Sequence, residues 1–150
     1  MALRVGAPVA GRVVGLAGVP DPVFAEAMVG PGTAVDPLPE PAAVGSPIAG
    51  KLVKLHPHAF VVLSDGGQGV LVHLGIDTVQ LGGEGFELLV EEGATVVAGQ
   101  PLVRWDPAAV AAAGRSPVCP VVALDAAKDA LSELCEDGEV APGDQLFLWG

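Results

Sequence analysis

The sequence predicts an all-β fold, an antiparallel sandwich or barrel with short peripheral helices. Three observations carry that reading: abundant turn residues, paired internal repeats and scarce helical periodicity. The 150 residues include 21 Gly and 14 Pro, with Val frequent throughout, so turns recur often and strands are short. A chain of this length buries one sizeable core without metals or disulfides, and one domain over 1–150 is expected.

Residues 6–16, GAPVAGRVVGL, and 45–55, GSPIAGKLVKL, agree at six of eleven positions, and most of the others are conservative exchanges. A second pair, VVAGQPLVRW at 96–105 and VAPGDQLFLW at 140–149, shares Val, Gly, Leu and Trp at matching places. Two repeats of two kinds predict a pseudo-symmetric duplication, because neither half alone can cover its apolar face.

Taken along the chain, 21–30 (DPVFAEAMVG) predicts a helical turn or two ending at Gly30, and 35–45 a Pro-rich connector between the repeats. The run 59–73 predicts a hairpin about Asp65-Gly66, a dipeptide suited to a two-residue type I′ turn because both central positions need positive φ. Segment 106–117 carries no decisive signal. Residues 125–138 (DAAKDALSELCEDG) predict a helix with Asp125 as N-cap and Gly138 as terminator.

The net charge of −11, with seven basic residues, excludes a phosphate-tracking nucleic-acid surface and suits a basic protein partner. No apolar run reaches the roughly 18 residues of a membrane span, and no signal-peptide pattern opens the chain, so a cytoplasmic location is expected; the chain is expected to act as a monomer. Cys119 and Cys135 lack metal-ligand spacing and are expected as small buried side chains.

All three histidines fall between positions 56 and 73. A two-residue turn at Asp65-Gly66 places His58 directly opposite His73, with Phe60 and Val62 on the same face. Facing side chains have Cβ atoms about 4.5–5.5 Å apart, so the two imidazoles touch. His56 is expected at the rim, where Pro57 marks the start of the strand. Two imidazoles in an apolar wall disfavour each other's protonation, which leaves a neutral nucleophile or ligand. Three chemistries fit: zinc binding by His58 and His73 with His56, general acid/base work with Asp77, or covalent phosphoryl transfer.

The segments VPDPVFAEAMVGPG, HAF…SDGG…VLVHLGIDTVQLGGEGF and EEGATVVAGQPLVRWD resemble the glucose-family enzyme IIA of the bacterial phosphoenolpyruvate-dependent sugar phosphotransferase system. The resemblance runs in order through nearly the whole chain and implies an antiparallel β-sandwich of the duplicated-hybrid-motif type. It implies that His73 accepts a phosphoryl group from the phosphocarrier HPr and passes it to a cysteine on the IIB domain of a glucose or N-acetylglucosamine permease. It casts His58 as the phosphate-stabilising partner, requires no cofactor, and makes zinc at His58 and His73 secondary. Asp21 and Asp77 would engage a partner's arginine, the bland reading of Asp21 being a turn residue before Pro22. Val23, Phe24, Leu74 and Ile76 are candidates for an exposed docking patch or for core, and Gly75 for a place where a partner's backbone comes close. One departure stands out: the family often has a small hydroxyl residue two positions before the supporting histidine, where this chain has His56. The alternatives are a zinc peptidase of the lysostaphin-like type, which needs upstream ligands that no histidine here supplies, and a swinging-arm carrier, which needs a lysine at a hairpin tip.

Overall fold

The computed structural model describes residues 2–150. The chain runs β1 (Leu3–Gly6), β2 (Gly11–Val13), α1 (Pro22–Ala25), β3 (Gly32–Pro37), β4 (Ala42–Gly45), β5 (Gly50–His56), β6 (Ala59–Leu63) and β7 (Gly69–His73). It continues with β8 (Phe86–Leu88), β9 (Thr95–Val96), β10 (Pro101–Trp105), α2 (Pro107–Ala112), β11 (Cys119–Ala123), β12 (Leu131–Ser132), β13 (Glu139–Val140) and β14 (Gln145–Trp149). Single 3-10 turns cover Leu16–Gly18 and Thr78–Leu81. The strands form an eight-stranded sheet in the order β13-β2-β3-β11-β7-β6-β5-β9 and two three-stranded sheets, β1-β14-β12 and β4-β10-β8, with every pairing antiparallel.

The repeats sort into two structural halves, each taking one member of each repeat pair. β1 pairs with β14 as β4 pairs with β10: Leu3 faces Trp149 and Val5 faces Phe147, while Ala42 faces Trp105 and Val44 faces Val103. The halves are stitched by a reciprocal exchange, Gly6 N–H donating to Pro47 O and Gly45 N–H to Pro8 O, each at 2.9 Å. Even the turns match, since Asp144 Oδ2 accepts from Ala141 N–H and Gln100 Oε1 from Val97 N–H. The large sheet is palindromic in the same sense, and its centre is the β11–β7 seam, where Val121 faces Val72.

Strand alternation then sorts the side chains. Phe60, Val62, Val70 and Val72 enter the main core with Leu52, Leu102, Trp105 and Phe147. The opposite face of β7 carries Leu71 and His73, and the first of these packs on a second cluster of Leu16, Val19, Phe24, Ala34, Ile76, Val118 and Val122. The 14–31 connection therefore lies over the outer face of the central strands, beside His73.

Several sequence expectations change. The 35–45 connector shrinks to residues 38–41, because β3 runs on to Pro37 and β4 begins at Ala42. Residues 125–138 do not form the expected helix: Asp125 takes a left-handed φ of 57°, and Leu131–Ser132 add an edge strand on β14. Tertiary pairing there overrides a helical apolar spacing. In the unassigned segment, Asp106 caps α2 by accepting from Ala108 N–H, and Asp21 caps α1 by accepting from Val23 N–H. Both are Asp-Pro starts, in which Pro occupies the first helical position without losing a needed donor.

The histidine hairpin also departs from its predicted register. Ser64 N–H donates to Gln68 O, so the loop is Asp65-Gly66-Gly67, with Gly67 at φ +86°. A three-residue loop of this kind ends in a left-handed residue, and the extra residue slides the ladder by one. Ala59, not His58, faces His73, and Phe60 faces Val72. Phe60 and Val62 therefore point into the core, away from His73.

Candidate functional site

The imidazoles meet by a different route from the one the ladder arithmetic gave. A bulge at Val53 shifts the β5–β6 register by one, which leaves Pro57-His58 as a two-residue turn between His56 and Ala59. His56 thus ends one strand, where the sequence suggested Pro57 would begin the next, and it sits exposed at the rim. His58 escapes strict strand alternation because it belongs to the turn, while its carbonyl still accepts from Leu74 N–H at 2.7 Å. Its ring comes edge-on to His73, with centroids 5.3 Å apart and planes at 62°. His56 lies nearly parallel to His58, at 5.6 Å and 21°.

His73 is half-buried at the end of β7, and Phe24 of α1 packs its ring edge-on against it at 5.4 Å. His73 Nδ1 is hydrogen-bonded to Gly75 O. A carbonyl only accepts, so the proton resides on Nδ1, and Nε2 carries the free lone pair. Burial pushes the His73 pKa down from its ordinary value, against the opposing pull of the Gly75 hydrogen bond and the Asp21 and Asp77 carboxylates. His58 is also lowered, first by desolvation and then by repulsion from His73 and His56. The result at neutral pH is a neutral imidazole with a fixed tautomer and an unengaged Nε2.

Gly75 serves this geometry from within. It is buried at φ +79°, and a Cβ there would lie 2.6 Å from Thr78 Cγ2 and 2.8 Å from Ser116 O. The turn it makes is stapled by Thr78 Oγ1–H donating to Leu74 O and by Ile76 N–H donating to Ser116 O. Arg115 adds a clasp, donating from Nη2 to Gln80 Oε1 at 2.7 Å. These backbone acceptors were invisible to sequence reasoning; a Gly two residues after His73 was the one available signal.

Of the four apolar candidates, only Val23 is exposed, at 39%; Phe24 (7%), Leu74 (0%) and Ile76 (4%) are core. The open apolar surface includes Val79 and Met28 instead. Asp21 is more than a turn residue: it caps α1 while its charge also acts on His73. Cys119 is buried, and burial pushes its thiol up to about 12, as expected for an inert side chain; Cys135 is half-buried. Among the described residues, no group of three or more His, Cys, Asp or Glu side chains is placed to hold a metal ion.

A pseudo-symmetric β-sandwich presents a neutral, tautomer-locked imidazole beside a second one and two carboxylates, an arrangement with the chemistry a histidine nucleophile needs. Comparison with known proteins gives the family. Residues 3–128 match the family model of the phosphoenolpyruvate-dependent sugar phosphotransferase system, EIIA 1. A glucose-specific EIIA component from Staphylococcus aureus is 37% identical over 148 residues, covering 97% of this chain and 88% of that one. An N-acetylglucosamine-specific EIICBA component from Escherichia coli is 48% identical over 117 residues, 77% of this chain but 18% of that longer protein. The solved structure of glucose permease IIA from Mycoplasma capricolum superposes with a TM-score of 0.90 at 37% identity, covering 99% of this chain and 96% of that one. The chain belongs to the EIIA 1 family and is a phosphocarrier of the sugar phosphotransferase system. The zinc-peptidase alternative finds no support in these comparisons.

Proposed function

We propose that His73 Nε2 is the atom that carries the phosphoryl group, and that His58 stabilises it. The observation that carries this reading is the Nδ1–H bond from His73 to Gly75 O, which leaves Nε2 as the nucleophile, with His58 edge-on 5.3 Å away. In the accepting step the Nε2 lone pair forms a bond to phosphorus as the donor's N–P bond breaks, and the donor imidazole keeps the released electron pair. Nδ1–H stays on Gly75 O, so no proton leaves His73. His58 donates a ring N–H to a phosphoryl oxygen, a donor already in place when the charge arrives. In the onward step a thiolate attacks phosphorus, and the bonding pair returns to Nε2.

The donor in this reading is HPr and the acceptor a cysteine of the IIB domain of a glucose or N-acetylglucosamine permease, in the cytoplasm. The names of the relatives support the sugar class. Asp21, Asp77 and the net charge of −11 support a basic partner, and the exposed Val23 supports an apolar contact with it.

The test is incubation with phosphoenolpyruvate, enzyme I and HPr, read by intact mass and site mapping. The wild type is expected to gain one acid-labile phosphoryl group and His73→Gln none. His58→Gln is expected to accept the group yet pass it on slowly. Phosphate uptake by the His73→Gln variant would overturn the assignment.

A further inference from the structure

The third histidine has no part in the chemistry just described, yet it lies on the ring that does. Three facts bear on what holds His58 in place. His58 is the second residue of a two-residue turn, so no ladder partner flanks its side chain. Of the three imidazoles, only His73 is hydrogen-bonded to protein within the described residues. The aromatic neighbours of His58 are His73, edge-on at 62°, and His56, nearly parallel at 21° with centroids 5.6 Å apart.

An edge-on contact alone leaves rotation about the Cβ–Cγ bond free, because that torsion is broad and roughly two-fold. A nearly parallel neighbouring ring removes that freedom, because stacked rings keep their planes aligned. His56 is itself anchored by its backbone, which is the last residue of β5 and pairs with Ala59 across the turn. The bulge at Val53 gives β5 the extra residue that sets this pairing and so aligns His56 with the turn residue His58.

We propose that His56 is a positioning residue for His58: its stacked imidazole fixes the plane of the His58 ring, so that a ring N–H stays aimed at the phosphoryl group on His73. The inference rests on the reading of His73 as the phosphoryl carrier. Orientation of His58 then comes from a stacked ring. In this reading His56 acts through His58 and not on the phosphoryl group itself. Because phosphoryl transfer is governed by positioning, a loosened donor slows the step in which the donor matters.

The experiment compares His56→Ala, which removes the ring, with His56→Phe, which keeps a stacking face without nitrogens. Circular dichroism and thermal melting verify that both fold, as expected for a change at an exposed rim. Nitrogen-detected histidine NMR of the unphosphorylated proteins reads the His58 ring, and single-turnover transfer to a IIB domain reads the function. For His56→Ala the expected result is averaged or broadened His58 ring signals, phosphorylation by HPr within about twofold of wild type, and onward transfer slower by about tenfold, inside the range that misplaced groups produce. For His56→Phe, sharp His58 signals and transfer within about threefold of wild type are expected, on the same scale. Wild-type transfer and unchanged His58 signals in the Ala variant would overturn the proposal, as would equal impairment in Ala and Phe, which would mean that a ring nitrogen acts. Should the wild type itself take up no phosphate, the carrier assignment fails, and the NMR comparison separately decides whether His56 orients His58.

Discussion

Replacing Gly75 by Ala tests whether the turn after β7 sets the reactive tautomer of His73. Two separable terms enter. A non-Gly residue at φ +79° carries the left-handed penalty of about 1–2 kcal/mol. The added Cβ would also sit 2.6 Å from Thr78 Cγ2 and 2.8 Å from Ser116 O, and backbone and a buried side chain yield only at an overpacking cost of about 1–3 kcal/mol. Together they give about 2–5 kcal/mol. The internal control is Gly67→Ala in the histidine hairpin, where φ is +86° but no atom lies within 4 Å of the new Cβ. That variant should lose only the conformational term, about 1–2 kcal/mol. Urea unfolding of both, with the slope constrained by the wild type, isolates the packing term as their difference. Relief of the clash displaces the Gly75 carbonyl, and His73 Nδ1 loses its acceptor. Phosphorylation by HPr should therefore fall by about tenfold or more in Gly75→Ala, since a displacement of about 1 Å suffices for ~100-fold, and stay at the wild-type rate in Gly67→Ala. Equal destabilisation of the two variants, or full phosphorylation of Gly75→Ala, would refute the reasoning.

Further outcomes follow from the same geometry. His58 and His73 both have folded-state pKa values lowered from 6.5, so the folded chain binds fewer protons than the unfolded one as pH falls through that value. Their contribution to stability is present above pH 6.5 and is lost as pH drops through the folded values, and a pH series of urea midpoints should show a decline that the His58→Gln, His73→Gln double variant flattens. The rate of His73 phosphorylation should be level above pH 6.5 for the same reason, as the nucleophile is already neutral there. Phe60→Ala, which empties a fully buried site on the core face of β6, should destabilise by about 3–5 kcal/mol in the same unfolding assay while leaving His73 competent at low temperature.

Much was legible in the chain alone. The repeats at 6–16 and 45–55 and at 96–105 and 140–149 are written in identical residues, and they became the reciprocal Gly6–Pro47 and Gly45–Pro8 bonds and the matched strand pairs. A duplication is visible because the same burial pattern and the same turns need the same residue types twice. The closeness of His58 and His73 was also legible, since a β-hairpin brings together residues on either side of its loop. The family was legible from the ordered motifs, above all VHLGIDTVQLGGEGF around His73.

What only the tertiary structure decided is how those parts are aimed. Asp65-Gly66 suggested a two-residue turn, but Gly67 takes the left-handed position of a longer loop, and one residue of slippage exchanges the faces of Phe60 and Val62. The core accepted the slipped register because it buries Phe60, Val62, Val70 and Val72 together, a sum over many strands that no local dipeptide expresses. The apolar spacing of 125–138 lost to an edge pairing with β14 for the same reason. The tautomer of His73 hangs on the carbonyl of Gly75, whose direction is set by Thr78 and by Ser116, the latter far along the chain. Side-chain identity is a local property that the sequence states outright. Ring orientation and backbone direction are set by contacts between distant segments, and those exist only once the chain has folded.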